Sequence, residues 1–215
     1  MVSRHVRLDP KVPYFGTPVV LVSTDNADGT PNLAPISSAW WLGRSCMLGL
    51  DATSRTPENL LRSRECVLNL CDAGMVQAVD RLALLTGRPD LPVHKAEKGF
   101  RYEADKFGVA GLTPLASVEV GPPRVAESPI QMEARLVSSR RFGAPHADAF
   151  AVEVEVVATH IAPDLVTGQR EGHIDPVAWD PLIMKFTEFF GGGKSLHPSR
   201  LAIGFGLDHG PRAEQ

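Results

Sequence analysis

Residues 18–51 read PVVLVSTDNADGTPNLAPISSAWWLGRSCMLGLD, and this stretch decides the fold. Its first part, PVVLVST (18–24), is short and β-branched, which reads as a buried strand. DNADGT (25–30) follows and carries Asp-Gly near its end, a turn signal. In PNLAPISSAWW (31–41), Pro31 and Pro35 lack the N–H that a central strand must donate. The segment therefore reads as an edge or bulged strand whose backbone N–H groups are partly free. SCMLGLD (45–51) is a further strand.

Working outward, ATSRTPENLLRS (52–63) is the clearest local signal. Thr56 suits an N-cap, Pro57 the first helical position, and Glu58 and Asn59 the first turn. Leu60 and Leu61 give that helix a buried side. ECVLNL (65–70) reads as a strand, and Asp72 as the cap of a second helix with Met75, Val79 and Leu82 on one face. Residues 86–114 look loop-rich, with glycine and proline spread throughout. SPIQMEARLV (128–137) and AFAVEVEVVATHI (149–161) are long strands. In the second, Phe150, Val152, Val154 and Val156 alternate with Ala151, Glu153 and Glu155, so one face is buried. Two helices among many strands and long connections argue for a mainly β barrel with additions, not for alternating βαβ units.

The bulk numbers exclude several classes. The chain has 215 residues, 43% of them hydrophobic, and a formal net charge of -3, so nothing points to a nucleic-acid partner. Three cysteines, Cys46, Cys66 and Cys71, argue against a disulfide framework and for a reducing compartment. Cys66 and Cys71 flank a strand at an odd offset and should face opposite ways. The N-terminal stretch MVSRHVRLDPKVPYFGTP has no apolar core of a signal peptide, and the apolar runs fall short of the ~20 residues of a membrane helix. The expectation is a soluble, cytoplasmic protein with no membrane contact.

Several motifs are near misses. GGGKS (191–195) lacks the earlier glycine of a phosphate loop, where Glu188 stands. GFGLDHG (204–210) has its last glycine one position late for a dinucleotide fingerprint and no helix to follow. The 7 histidines show no metal-ligand spacing, and no G-x-S-x-G elbow occurs. No metal site is expected, and no catalytic side chain is identified.

Two segments remain informative. Ser54–Asn59 opens a helix directly after a strand, where free N–H groups and the positive dipole end favour an anion. Ser54 and Thr56 add hydroxyls, and Arg55 adds a fork suited to phosphate. The same residues equally serve as a plain helix cap with Arg55 in solvent, and Glu58 in the same turn weighs against an anion. PNLAPISS (31–38) lets a flat ligand lie against an irregular strand, or is a barrel strand with a bulge.

Taken together, FGTPVVLVST, DGTPNLAPISSAWW, SCMLGLDATSRTPENL, ECVLNL, SPIQMEARL and DPLIMKFTEFFGGG resemble the flavin reductase-like FMN-binding split-barrel family, flavoredoxin-like members included. The resemblance covers roughly residues 14–201. It implies a split-barrel domain over 14–161, preceded by an extension (1–13) and followed by a segment packed on the barrel (162–201) and a flexible tail (202–215). It also implies a homodimer with FMN in a groove near the interface. Asn32, Pro35, Ile36, Ser37 and Ser38 would lie along the ring system and ribityl chain. Ser54, Arg55, Thr56 and Asn59 would surround the phosphate, Lys106 would lie near the flavin, and Phe189 and Phe190 would form an aromatic wall. The function implied is an FMN oxidoreductase with NADH or NADPH as transient co-substrate, serving a partner oxygenase or electron-transfer protein. Such chemistry belongs to the cofactor, which accounts for the lack of a triad or metal motif. Two other readings stay open. One is a flavoredoxin-like electron carrier. The other is a flavin enzyme for a small organic substrate, its site closed by residues 162–200.

Overall fold

The computed structural model describes residues 5–143, 148–166 and 173–196; the expected tail and the GFGLDHG motif lie outside them. The chain begins with β1 (Phe15–Pro18), β2 (Val20–Asp25), β3 (Pro31–Ile36), β4 (Ala39–Leu42) and β5 (Ser45–Asp51). Helix α1 (Arg55–Ser63) leads to β6 (Glu65–Leu70), and a 3-10 turn (Ala73–Met75) runs into α2 (Val76–Leu82). Short elements follow: β7 (Leu85–Thr86), α3 (Val93–Ala96), β8 (Arg101–Tyr102), α4 (Lys106–Ala110), β9 (Pro114–Leu115) and β10 (Arg124–Val125). Long strands β11 (Ile130–Phe142) and β12 (Ala149–Ile161) precede β13 (Ile183–Lys185) and β14 (Glu188–Phe190). Among the described residues no helix is long and apolar enough to cross a membrane.

Seven strands form one antiparallel sheet in the order β3-β2-β6-β11-β12-β5-β4. β3 and β4 stand at opposite ends of it, yet only Ser37 and Ser38 separate them in the chain. In a flat sheet, six strand spacings would hold these edges about 29 Å apart. A two-residue link spans about 11 Å. The sheet must roll up, and the result is a split β-barrel, mainly β with a few helices, as the sequence led us to expect.

The stretch 31–41 is not one edge strand but two, meeting at a kink. Ile36 still pairs with Val20 of β2. Ser38 already belongs to β5: its carbonyl accepts the Gly49 N–H at 2.8 Å, and its hydroxyl donates to the Gly49 carbonyl at 2.6 Å. A Cβ on Gly49 would sit 3.0 Å from the Ser38 Cβ, so glycine permits this close approach.

Two cores flank the sheet. Val20, Val22, Leu48, Leu68, Val152 and Val154 fill the barrel, and Leu60 of α1 packs with them. Val19, Leu21 and Leu33 face outward and are covered by Val79 and Leu82 of α2, by Phe107 and Ala110 of α4, and by Leu182. The unbroken apolar run of β2 thus has a physical cause, since both its faces are buried. Cys66 lies in the first core and Cys71 in the second, on opposite sides as their spacing predicts. Burial pushes the Cys46 and Cys71 thiols up to about 12, which makes both inert at neutral pH.

Local readings were met unevenly. Asp72 accepts the Met75 N–H at 3.1 Å, and Met75, Val79 and Leu82 are buried, as expected. Thr56 is not the N-cap of α1. Ser54 takes that place, with φ -90 and ψ 159, and Thr56 lies inside the helix. Its hydroxyl is engaged instead by the Asn32 side chain, which donates to it at 3.2 Å. The expected loop 86–114 carries β8, α3 and α4. Helices of four or five residues are too short to display a 3.6-residue period. The C-terminal segment forms a small sheet, β1-β13-β14, and is tied to the barrel where Val19 N–H donates to Leu182 O and Leu182 N–H to Cys71 O.

Glu133 of β11 is fully buried and clamps a loop onto the sheet. Its carboxylate accepts the N–H groups of Val118 and Val120 at 3.0 and 3.2 Å and meets His160 Nε2 at 2.7 Å. Burial works to raise its pKa, but the backbone donors and His160 outweigh that and hold it below the ordinary 4.5. A carboxyl with a depressed folded pKa stabilises fully above its unfolded value and loses that contribution as pH falls through the folded one. We expect Glu133→Gln to lower stability at neutral pH and to flatten the fall in urea midpoint below about pH 4.5. A variant with an acid limb like that of the parent would refute the clamp.

Candidate functional site

A cleft of about 330 Å³ opens along the seam of the barrel. Ala34, Pro35, Ile36 and Ser38 form one wall, and Gly49, Leu50 and Asp51 form another. The start of α1, Ser54 to Pro57, lies at one end, and Leu82, Leu85, Thr86 and Gly87 line the outer side. Lys95, Phe100 and Lys106 reach in from the segment between β7 and β9.

The cleft is cationic at the α1 end. Arg55 Nε donates to the Gly87 carbonyl at 3.1 Å and Nη1 to Glu58 at 2.8 Å. Lys95 is 5% exposed; its ammonium donates to Ser54 Oγ at 2.7 Å and pairs with Asp51 at 3.3 Å. Burial tends to raise the Asp51 pKa, but Thr53 and Lys95 prevail and lower it, so its charge answers that of Lys95. Lys106 is 4% exposed and donates to a neutral acceptor, Asn32 Oδ1, at 3.1 Å. Burial, with added repulsion from Lys95 and Arg55, pulls its pKa from 10.5 down to about 8. Three cations therefore converge where two carboxylates, Asp51 and Glu58, pair with Lys95 and Arg55 directly, and Glu103 acts on Lys106 at longer range. Ser54 makes no side-chain cap bond, so the first N–H groups of α1 are not used up by it. Such a surplus of buried positive charge fits a phosphate.

Of the residues picked from the sequence, Pro35, Ile36, Ser38, Ser54, Arg55, Thr56 and Lys106 line this cleft. Asn32 lies behind it, orienting both Lys106 and Thr56. Asn59 is buried under the helix and donates to Thr24 and Asn26. Ser37 is buried at the kink. Phe189 and Phe190 are not brought in: Phe189 packs on the outer core, and Phe190 lies 4.1 Å from the Lys185 ammonium.

Lys95 and Gly87 were missed. Lys95 sits in a charged run, HKAEK, that reads as solvated. A Cβ on Gly87 would fall 2.5 Å from Asn32 Oδ1 and 3.2 Å from the Arg55 Cβ, so glycine is required there, but nothing local in TGRPD says so.

This fold and site define a split-barrel protein with a cationic cleft in its seam. A flavin reductase like domain profile matches residues 12–192, and the chain belongs to that family. An uncharacterized protein of Bacillus subtilis (strain 168), YdfE, is 38% identical over 193 residues, 90% of this chain and 92% of that one. Flavoredoxin of Desulfovibrio vulgaris (Miyazaki F) superposes with a TM-score of 0.75 at 20% identity, over 93% of this chain and 99% of that one. Nitrilotriacetate monooxygenase component B from Bacillus cereus does so with a TM-score of 0.73 at 20% identity, over 91% of this chain and all (100%) of that one.

Lys106 carries a testable cost. A lysine whose folded pKa lies below its unfolded value opposes folding while charged, and stability rises with pH between about 8 and 10.5. Relief of the buried charge is worth up to about 3 kcal/mol, against about 1 kcal/mol for the lost bond to Asn32. Lys106→Met should therefore stabilise the ligand-free protein at neutral pH and abolish that rise, as read by urea unfolding. A less stable variant would contradict the assignment.

Proposed function

We propose that the seam cleft holds FMN and that the protein is an FMN-dependent oxidoreductase supplied with electrons by NADH or NADPH. The observation that carries this reading is the convergence of Arg55, Lys95 and Lys106 on the α1 start, beside an apolar slot walled by Pro35, Ile36, Leu50, Leu82 and Leu85. A phosphate matches the first feature and a flat ring system the second. The donor set and the apolar slot beside it fit the cofactor.

FMN, when bound, supplies hydride chemistry, and the protein has to bind, orient and polarise. Arg55, Lys95, Ser54 and the first N–H groups of α1 hold the phosphate. Asn32 fixes the Lys106 ammonium at 3.1 Å, so the positive charge is placed before any reaction begins. Lys106 favours negative charge in the cleft and, with a pKa of about 8, stays protonated at neutral pH. Pro35 and Ile36 present an edge strand, free of a strand partner on one side among the described residues, against which a ring can lie. The electrons pass on to a small molecule, a partner oxygenase or an electron-transfer protein.

Purified protein should take up FMN with micromolar affinity or better, about 8 kcal/mol or more. Riboflavin, lacking the phosphate, should bind more weakly. Arg55→Ala should cost roughly 1.5–3 kcal/mol of FMN affinity by calorimetry; an unchanged constant would remove Arg55 from the site. Stopped-flow bleaching with NADH or NADPH separates an oxidoreductase from an electron carrier, since the carrier shows none.

The protein is a homodimer in this reading. Trp40 and Leu42 on the edge strand β4 are 58% and 76% exposed, an apolar surface that a second copy would cover. Light scattering is expected to give twice the chain mass of 23.2 kDa, and a monomer at micromolar concentration would refute the pairing.

A further inference from the structure

Residues 87–100 leave the body of the protein and return to the point where they left it. Their two ends are clamped together. β7 and β8 pair in parallel, Leu85 against Arg101 and Thr86 against Tyr102. The N–H groups of Arg101 and Glu103 donate to the Leu84 and Thr86 carbonyls at 3.0 and 2.9 Å. A surface loop with joined ends is a compact unit that can move without disturbing the elements it leaves.

The stretch between those ends has little hold on the barrel. None of its residues belongs to either core. Among the described residues, the backbone–backbone hydrogen bonds of 88–100 all stay within 92–100. Lys95 is the one buried residue of 88–100, whereas Val93, two positions earlier, is 74% exposed. Two side chains of the stretch bond to the barrel. Arg88 meets Glu58 at 3.3 Å, a partly exposed pair of the kind that contributes little. Lys95 donates to Ser54 Oγ at 2.7 Å and pairs with Asp51 at 3.3 Å. A segment with so little buried apolar surface opens at a free energy well below that of global unfolding. Lys95 is its latch, and the latch closes on the α1 end of the seam cleft, where Lys95 and Phe100 form part of the wall.

We propose that residues 88–100 form a lid on the seam cleft, latched by Lys95, and that the phosphate of a bound phosphomonoester locks it. This rests on the flavin reading of the cleft. Without ligand, the ammonium rests on a neutral hydroxyl and a half-exposed carboxylate. A phosphate at the α1 start would stand beside Ser54, which Lys95 already reaches. A charged acceptor makes a bond roughly twice as strong as a neutral one. Binding therefore holds the lid down, and the lid in turn sets how long the cofactor stays.

The test is amide hydrogen exchange, read by mass spectrometry, on the full-length protein, on Lys95→Ala and on Lys95→Arg, which keeps a charged tether. Without ligand, 88–100 should exchange faster than β2 and β6 in the wild type. Lys95→Ala should speed exchange in that stretch alone by about 10-fold or more, the worth of one hydrogen bond to a charged group. Saturating FMN should slow 88–100 in the wild type and in Lys95→Arg but not in Lys95→Ala. The FMN off-rate, followed by stopped flow, should rise by a similar factor in Lys95→Ala. Exchange in 88–100 unaltered by Lys95→Ala overturns the latch. Equal protection by FMN in wild type and Lys95→Ala overturns the lock, since Lys95 would then be an attracting charge and nothing more. Failure of FMN to bind the wild-type protein overturns the flavin reading instead, and the ligand-free comparison still decides the latch.

Discussion

Two residues, Ser37 and Ser38, join the opposite edges of a seven-stranded sheet, and the rest of the architecture follows from that short link. The sheet has to roll, and the strand that joins its edges has to leave β2 for β5 within two residues. Closure is incomplete because, among the described residues, β3 and β4 each keep one side without a strand partner. A cleft with backbone on both walls is the direct product of that incomplete closure. Gly49 is needed at the kink for the same reason, because a side chain there would press on Ser38.

Charge was built into this seam at some cost to the fold. Lys106 is nearly as buried as a core leucine, yet its partner is a neutral amide oxygen. Lys95 is buried too but has Asp51, and Arg55 has Glu58. The member without a direct carboxylate partner sets this cluster apart from a structural ion-pair network. Its position is over-determined by Asn32, which also engages Thr56 and Thr24, so the cation is held in place without a ligand. Preorganisation of this kind trades stability for readiness to bind.

The outer core shows how the additions serve the barrel. β2 is covered inside by barrel residues and outside by α2, α4 and Leu182. The segment that supplies Lys106 also supplies Phe107 and Ala110 to that outer core. Anchoring by Phe107 is therefore what keeps the neighbouring ammonium in the seam. Glu133 performs a similar service on β11, where it gathers the N–H groups of one loop.

Much of the fold was legible in the chain because its signals are local. The apolar run 18–24, the prolines at 31 and 35, the alternation in 149–161 and the Asp72 cap each rest on neighbours within a few residues, and each marks an element that formed. The α1 start was legible as a helix start for the same reason, although its cap lay two residues earlier than Thr56. What the sequence could not display was contact between distant segments. The split of 31–41 depends on β5 competing with β2 for one strand. Lys95 reads as a solvated charge until the fold sets it on Ser54, 41 residues away in the chain. Gly87 looks like any loop glycine until Asn32 and Arg55 close around it. Phe189 and Phe190 looked like a wall for the site, but their strand pairs with β13 and carries them elsewhere. Local propensity determined which elements exist, and long-range packing alone decided which side chains share the seam, because burial and proximity are properties of the folded chain and not of any short stretch of it.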